Sequence, residues 1–283
     1  MFIPPSELII NPDNSVYHLK VKPDEIADII ITVGDPNRVN EVIKHLDQVH
    51  LERVNREFKT VTGVLNGKAL TVISTGIGTD NIDIVLNELD ALANIDFRSR
   101  TLKSEMKQLT FVRIGTSGTI REEIPIDSTI ISKYAIGFEG LLHYYDSDSV
   151  RIKGLESQCN GPILPYAVKG DDHLVSKFSK LGNLGITFTA SGFYAPQSRQ
   201  LRLKSQFDYK DYSTSINYDG LSPTNLEMET AGIYGLAALM GHRAVSLNAI
   251  LANRVTNEFS SQPGKTVEKL IAQSLEIIDE LTR

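Results

Sequence analysis

Two arginines in this sequence stand where apolar runs give way to glycine. Arg38 follows Ile29-Ile30-Ile31-Thr32-Val33-Gly34-Asp35-Pro36-Asn37, and Arg113 lies inside Leu109-Thr110-Phe111-Val112-Arg113-Ile114, ahead of Gly115-Thr116-Ser117-Gly118. A guanidinium fork matches the geometry of a phosphate-like oxyanion, and amides and hydroxyls at a strand end add donors for the same charge. An arginine in a buried strand wants a partner. Glu227 and Glu229, just before a small-residue apolar segment, supply carboxylates that could pair with Arg113 or accept from vicinal hydroxyls. Phe193, Gln197 and Arg199 put an aromatic wall beside an amide and a guanidinium, a set that can stack on and hydrogen-bond a flat heterocycle. Each set has an ordinary reading too: a surface arginine, an N-terminal charge pair, a polar loop anchored by a phenylalanine.

The elements that must carry these side chains alternate between strand and helix. Ile29–Val33 reads as a buried strand that Gly34-Asp35-Pro36 stops, with Asp35 as cap and Pro36 as first residue of a helix bearing Val39, Val42, Ile43 and Leu46. Backbone amides at such a helix start attract anions. Alternation on both sides of Asn66-Gly67 predicts a β-hairpin over Phe58–Thr75, with Arg56-Glu57 just before it. Gly76-Ile77-Gly78-Thr79-Asp80 then opens a second helix, its glycine spacing fitting neither a Walker loop nor a dinucleotide fingerprint. Further strands are expected at Leu109–Gly118, at Ser128–Ile131 followed by a loop over Ala135–Phe138, at Gly185–Ala190 and at Val245–Ala252; helices are expected over Asp171–Lys180, from Thr230 onward and over Val267–Leu281. Residues 200–224 read as a polar, tyrosine-rich lid, and residues 1–23 as an irregular arm, open to being a flexible tail, with Tyr17-His18-Leu19 its main feature.

Composition limits the function classes. The 283 residues are 41% hydrophobic and 23% charged with a net charge of -6, which gives no field for nucleic acid, so an anionic ligand needs local arginines. The single Cys159 excludes an internal disulfide and a cysteine metal cluster, and suits a reducing cytosol. No run has the length of a membrane span, and Met1-Phe2-Ile3-Pro4-Pro5 lacks the pattern of a signal peptide. One domain over residues 1–283, in the cytoplasm, is expected.

The series Val33-Gly34-Asp35-Pro36-Asn37-Arg38-Val39, Arg56-Glu57-Phe58, Ser74-Thr75-Gly76-Ile77-Gly78, Arg113-Ile114-Gly115-Thr116, Phe193 with Gln197-Ser198-Arg199, Glu227-Met228-Glu229 and Asn253-Arg254 resembles the nucleoside phosphorylase family, and within it the uridine phosphorylases. It runs in order over nearly the whole chain. The resemblance implies a three-layer α/β/α fold with a central mixed, barrel-like β-sheet, and phosphate-dependent cleavage of uridine to uracil and ribose 1-phosphate. It implies that Gly34, Arg38, Arg113 and Thr116 bind phosphate with Arg56 of the partner subunit; that Glu227, Met228 and Glu229 hold the ribose with the partner's His18; and that Phe193, Gln197, Arg199 and Arg254 hold the base. Arg113, Glu229 and Arg199 would be the catalytic set, in a homodimer with shared sites or a hexamer. No cofactor or catalytic metal is expected, phosphate being a co-substrate; for a potassium site at Glu57 and Ile77, Asn81 replaces the serine of cation-binding relatives. Purine-cleaving relatives carry an aspartate where Asn253-Arg254 stands, so pyrimidine is expected. The alternatives are a purine nucleoside phosphorylase, a nucleosidase using water, or a nucleoside-binding protein without turnover.

Overall fold

The computed structural model describes residues 2–159 and 163–281; Met1, residues 160–162 of the tract from 139 to 165, and residues 282–283 lie outside it. In chain order come β1 (Ile29–Val33), α1 (Pro36–Ile43), β2 (Gln48–Asn55), β3 (Phe58–Leu65), β4 (Lys68–Ser74), α2 (Thr79–Asn94), a small ribbon of β5 (Ile95–Asp96) and β6 (Thr101–Leu102), then β7 (Thr110–Thr119) and β8 (Thr129–Gly137). They are followed by α3 (Lys153–Glu156), β9 (Tyr166–Lys169), α4 (Asp172–Phe178), β10 (Asn183–Thr189), α5 (Tyr209–Ser213), β11 (Pro223–Glu227), α6 (Thr230–Leu239), β12 (Arg243–Asn253), β13 (Glu258–Phe259) and α7 (Pro263–Leu281).

An 11-stranded mixed sheet forms the middle layer. Its strands β12, β8, β10, β11 and β7 pair in succession, and β7 pairs again with β12, so this part closes into a barrel. From β7 the sheet opens outward through β1, β4, β3 and β2. Alternation along the strands feeds two cores: Ile30 and Phe111 face α2, α6 and the arm, whereas Ile31, Val33, Val112 and Ile114 face α1, α4 and α7. Arg113 shares a face with Phe111 and so points at the α2 and α6 side. No helix among the described residues is long and apolar enough to cross a membrane.

Local rules account for several elements. Asp35 caps α1 by accepting from the Asn37 amide, and Pro36 opens the helix. Asn66 (φ 51°) and Gly67 (φ 80°) make the two-residue turn between β3 and β4, both in the left-handed region that such a turn demands. Elsewhere tertiary contacts overrule the sequence reading. The arm is not a loose tail, because Val16, Leu19 and Val21 are fully buried in the core with α2. Ala135–Phe138 is not a loop, since β8 runs unbroken to Gly137 against β10 and β9. Residues 200–224 keep many exposed polar residues, but Phe207, Tyr209, Tyr212 and Ile216 are buried in a third core at the barrel's flank, which anchors the second part of the expected lid. Strand β11 was unforeseen, its polar Asn225 and Glu227 masking a wholly buried segment.

Glu139, just past β8, accepts from the Leu141 amide at 2.7 Å and from the Tyr166 hydroxyl. Burial pushes its carboxyl up from 4.5 to about 7, against the pull of those two bonds. Between those values the unfolded chain gives up a proton that the folded chain keeps, so stability falls as pH rises through the window and levels off above it. A Glu139→Gln variant has no such proton. Its melting temperature relative to wild type should therefore climb between pH 5 and pH 8 in calorimetry; a pH-independent difference would show that Glu139 titrates normally.

Candidate active site

Strand β7 brings Arg113 to the centre of the molecule, and its neighbour two residues on makes room for the side chain. A Cβ at Gly115 would lie 2.0 Å from Arg113 Nη1, so the guanidinium lies over a position that only glycine can occupy. There Nη2 donates to Glu229 Oε2 at 2.6 Å and lies 3.0 Å from Glu227 Oε2, while Nη1 donates to Asn248 Oδ1 at 3.0 Å. All three charged residues are buried. Burial favours loss of the Arg113 proton, but the two carboxylates outweigh it and hold Arg113 above its ordinary pKa. Burial likewise raises Glu229, with Arg113 opposing the rise.

The two glutamates are engaged differently. Glu227, last residue of β11, accepts from Thr189 Oγ1 at 2.6 Å and from the amides of Glu229 and Thr230 at 2.9 Å, thereby capping the start of α6. Its acceptor capacity is largely spent. Glu229 accepts from Arg113 and, at 2.8 Å, from the Gly78 amide at the start of α2, so each of its oxygens keeps a lone pair for a ligand. Gly78 (φ 96°) needs the left-handed backbone to aim that amide.

Arg38, in the first turn of α1, forms no ion pair among the described residues. Burial lowers its pKa, and repulsion from Arg113 lowers it further. Arg38, Arg113, Glu227 and Glu229 sum to zero charge, so an anion placed here meets one guanidinium that is already paired and one that is not. The pocket around them measures about 960 Å³ and is also lined by Gly34, Thr116, Ser117, Met228, Phe193, Gln197 and Arg199.

At the other end of that pocket the loop after β10 is self-organised. Arg199 lies over the Phe193 ring at 3.8 Å and donates to Gln197 Oε1 at 2.5 Å and to the Phe193 carbonyl at 2.9 Å. Burial and then the neighbouring Arg254 lower Arg199 to about 10. With its oxygen turned to Arg199, the buried Gln197 amide has a set direction. Arg254 stands behind, donating to the Gln197 carbonyl at 2.5 Å with its guanidinium over Tyr209 at 4.8 Å.

His18 and Arg56 are not at this pocket. Both lie elsewhere, on neighbouring segments: the Asn55 side chain donates to the His18 carbonyl at 2.7 Å, and Arg56, exposed at the β2–β3 turn with φ 55°, lies 6.0 Å from the Tyr17 ring. Glu88 of α2 ties the arm down, taking both backbone amides of His18 and Leu19 and, at 2.7 Å, His18 Nδ1. Asn253 turns away from the ligand space, bracing the Ile124 carbonyl and the Val255 amide. Sequence reasoning passed over Asn248, Ser246 and Asn225, although polar residues at alternate positions of otherwise apolar strands are a readable signal. Asn81, weighed in the sequence only against a potassium site, lines the pocket with Gly76, Ile77 and Glu57, and its amide nitrogen would lie 2.3 Å from a Cβ at Gly76.

The Phosphorylase superfamily matches this chain over residues 28–283. The uridine phosphorylase of Thermococcus kodakarensis is 30% identical over 93% of this chain and 87% of its own length, and that of Haemophilus influenzae is 26% identical over 92% and 95%. Among solved structures, a Trypanosoma brucei nucleoside phosphorylase that shows uridine phosphorylase activity superposes with a TM-score of 0.85 at 27% identity, covering 96% of this chain and 99% of that one.

The glycine beneath Arg113 provides a direct test of the cluster. Gly115→Ala must displace the guanidinium from its carboxylates, and breaking a buried pair costs on the order of 3–5 kcal/mol. Gly118→Ala is the control, since a Cβ there meets nothing nearer than 3.4 Å. Denaturant unfolding of both variants should show the large loss at Gly115 alone; a change within about 0.5 kcal/mol at Gly115 would mean that the cluster is not held by this contact.

Proposed function

The chain belongs to the phosphorylase superfamily, and from that footing we propose that it cleaves uridine with inorganic phosphate to give uracil and ribose 1-phosphate. The carrying observation is one pocket that holds an unpaired Arg38, a Glu229 with free acceptor capacity and a directed Gln197–Arg199 pair. Phosphate sits against Arg38, Thr116 and the Gly34 turn, with Arg113 behind it. Glu229 takes the vicinal ribose hydroxyls while Met228 packs on the apolar face of the sugar. Glu227 acts on the ribose mainly by fixing Arg113 and the start of α6. Gln197 and Arg199 meet the edge of the base, Phe193 its ring, and Arg254 supports the loop from behind.

The chemistry then follows from charge. As a phosphate oxygen approaches C1′ and the bond from C1′ to uracil N1 lengthens, positive charge grows on the ribose and the departing electron pair stays on the base. The phosphate dianion stabilises the first and Arg199 with Gln197 the second. Because the four charges nearest the phosphate cancel, a dianion is under-neutralised by one chain alone. Arg56 of the partner subunit would supply the missing cation, and the partner's His18 would contact the 5′ end of the ribose; the place of both on neighbouring segments outside their own pocket supports a homodimer with shared sites, alone or within a hexamer. A cytoplasmic location suits the single buried Cys159, whose thiol burial pushes up to about 12.

Release of uracil from uridine with and without phosphate is the first measurement. Equal rates in phosphate-free buffer would sink the reading. Arg113→Ala should lower the rate by at least about 100-fold, since it removes a charge-assisted contact and strands two carboxylates. For the shared site, Arg56→Ala and Glu229→Ala should each be nearly inactive alone. Co-refolding them should restore about a quarter of the sites, because in a two-fold dimer one site of each heterodimer collects both defects and the other none. Activity that stays at the single-variant level, with mixed dimers present, would place Arg56 in its own chain's site.

A further inference from the structure

Inside the closed barrel, β12, β8, β10 and β11 each contribute one polar side chain, and β7 two, to a connected path. Arg113 Nη1 donates to Asn248 Oδ1 of β12 at 3.0 Å, and Asn248 Nδ2 donates to Ser132 Oγ of β8 at 3.1 Å. Ser132 Oγ meets Thr187 Oγ1 of β10 at 2.5 Å, Thr187 donates to Asn225 Oδ1 of β11 at 2.9 Å, and Asn225 Nδ2 donates to Ser117 Oγ of β7 at 2.9 Å. Asn248, Ser132, Thr187 and Asn225 are all 0% exposed, whereas Ser117 lines the pocket.

The direction of the path is forced from one end. A guanidinium only donates, so Asn248 must turn its oxygen to Arg113 and its amide nitrogen to Ser132. Ser132, already an acceptor, spends its proton on Thr187, and Thr187 spends its own on Asn225. Asn225 is left with its nitrogen toward Ser117. Every bond therefore runs the same way from a permanent cation, an arrangement in which each link polarises the next.

We propose that this one-way path makes Ser117 a fixed hydrogen-bond donor for an acceptor oxygen of the bound nucleoside. Ser117 Oγ already accepts from Asn225, so its single proton is free for the pocket. Side chains alternate along β7, so Ser117 shares a face with Arg113 and not with Gly118, and it lines the pocket that Arg113, Gln197 and Arg199 also line. A ligand that presents a carbonyl or hydroxyl oxygen there is favoured, and one that presents an amino group is not. Ser117 touches the ligand; Asn248, Ser132, Thr187 and Asn225 are positioning residues that act through it.

The test rests on uridine phosphorolysis as the assay, and wild-type turnover decides that reading first. Thr187→Val keeps the volume and cuts the path from Arg113, leaving Asn225 Oδ1 with Thr224 Oγ1 alone, at 2.8 Å. It should lower kcat/KM for uridine about tenfold in the wild-type background, the scale of one hydrogen bond. In a Ser117→Ala background the same change should cost less than about twofold, because the donor it directs is gone. Thr187→Ser, which keeps the hydroxyl, should recover most of the loss. Calorimetric binding of uridine without phosphate should follow the same pattern, and it reads the path even if turnover is absent. Equal losses in both backgrounds, with no recovery by serine, would overturn the proposal and leave the path as a brace for the barrel. Should Thr187→Val fail to fold, Ser132→Ala cuts the next link and is judged by the same comparison.

Discussion

A guanidinium buried between two carboxylates is the constraint on which this structure turns. Taking three charges out of water is expensive, and such a cluster persists only where all the charged groups find partners beyond the pair itself. Here they do: Arg113 has Asn248 besides Glu227 and Glu229, Glu227 has the start of α6 and Thr189, and Glu229 has the Gly78 amide of α2. Satisfying the cluster therefore fixes β7, β10, β11, β12, α2 and α6 relative to one another. Gly115 and Gly78 are consequences of that demand, one ceding space and the other supplying an amide in a backbone shape other residues resist.

Strand β7 has a double life that explains why the pocket opens where it does. Its first half lies between β1 and β12, as in an open sheet, and its last residues pair with β11 to complete the ring. The glycines of Gly115-Thr116-Ser117-Gly118 let the strand pass from one regime to the other without stopping. Side chains on its inner face consequently look both at the helix starts of the open sheet and into the barrel. Charge chemistry and directional hydrogen bonding are thereby joined along a few residues of one strand.

Much of this was legible in the sequence where the deciding physics is local. The hairpin at Asn66-Gly67, the cap at Asp35 and the terminal helix follow from short-range rules, and the need of Arg113 for a carboxylate follows from the cost of a buried charge. What stayed hidden depends on distant partners. Barrel closure rests on the register between β7 and β12, residues more than a hundred positions apart. The arm is ordered by Glu88, whose position in an amphipathic helix looks unremarkable alone, and β11 is polar because its side chains face one another inside the ring rather than water. The resemblance to nucleoside phosphorylases placed the site residues in one series, yet only coordinates reveal that Glu227 is largely consumed by the fold while Glu229 keeps lone pairs to spare.

The unpaired Arg38 beside Arg113 carries one more consequence. Arg113 is neutralised by its two carboxylates but Arg38 has no ion-pair partner among the described residues, so an oxyanion seated against Arg38 adds a favourable contact in the folded state only. On the reading proposed for this site, resistance to heat becomes a function of phosphate concentration: at one hundred times the dissociation constant the folded state gains about 2.7 kcal/mol. The buffer in which the protein is kept is then part of its stability, and a cell short of phosphate would hold a softer protein as well as a slower one.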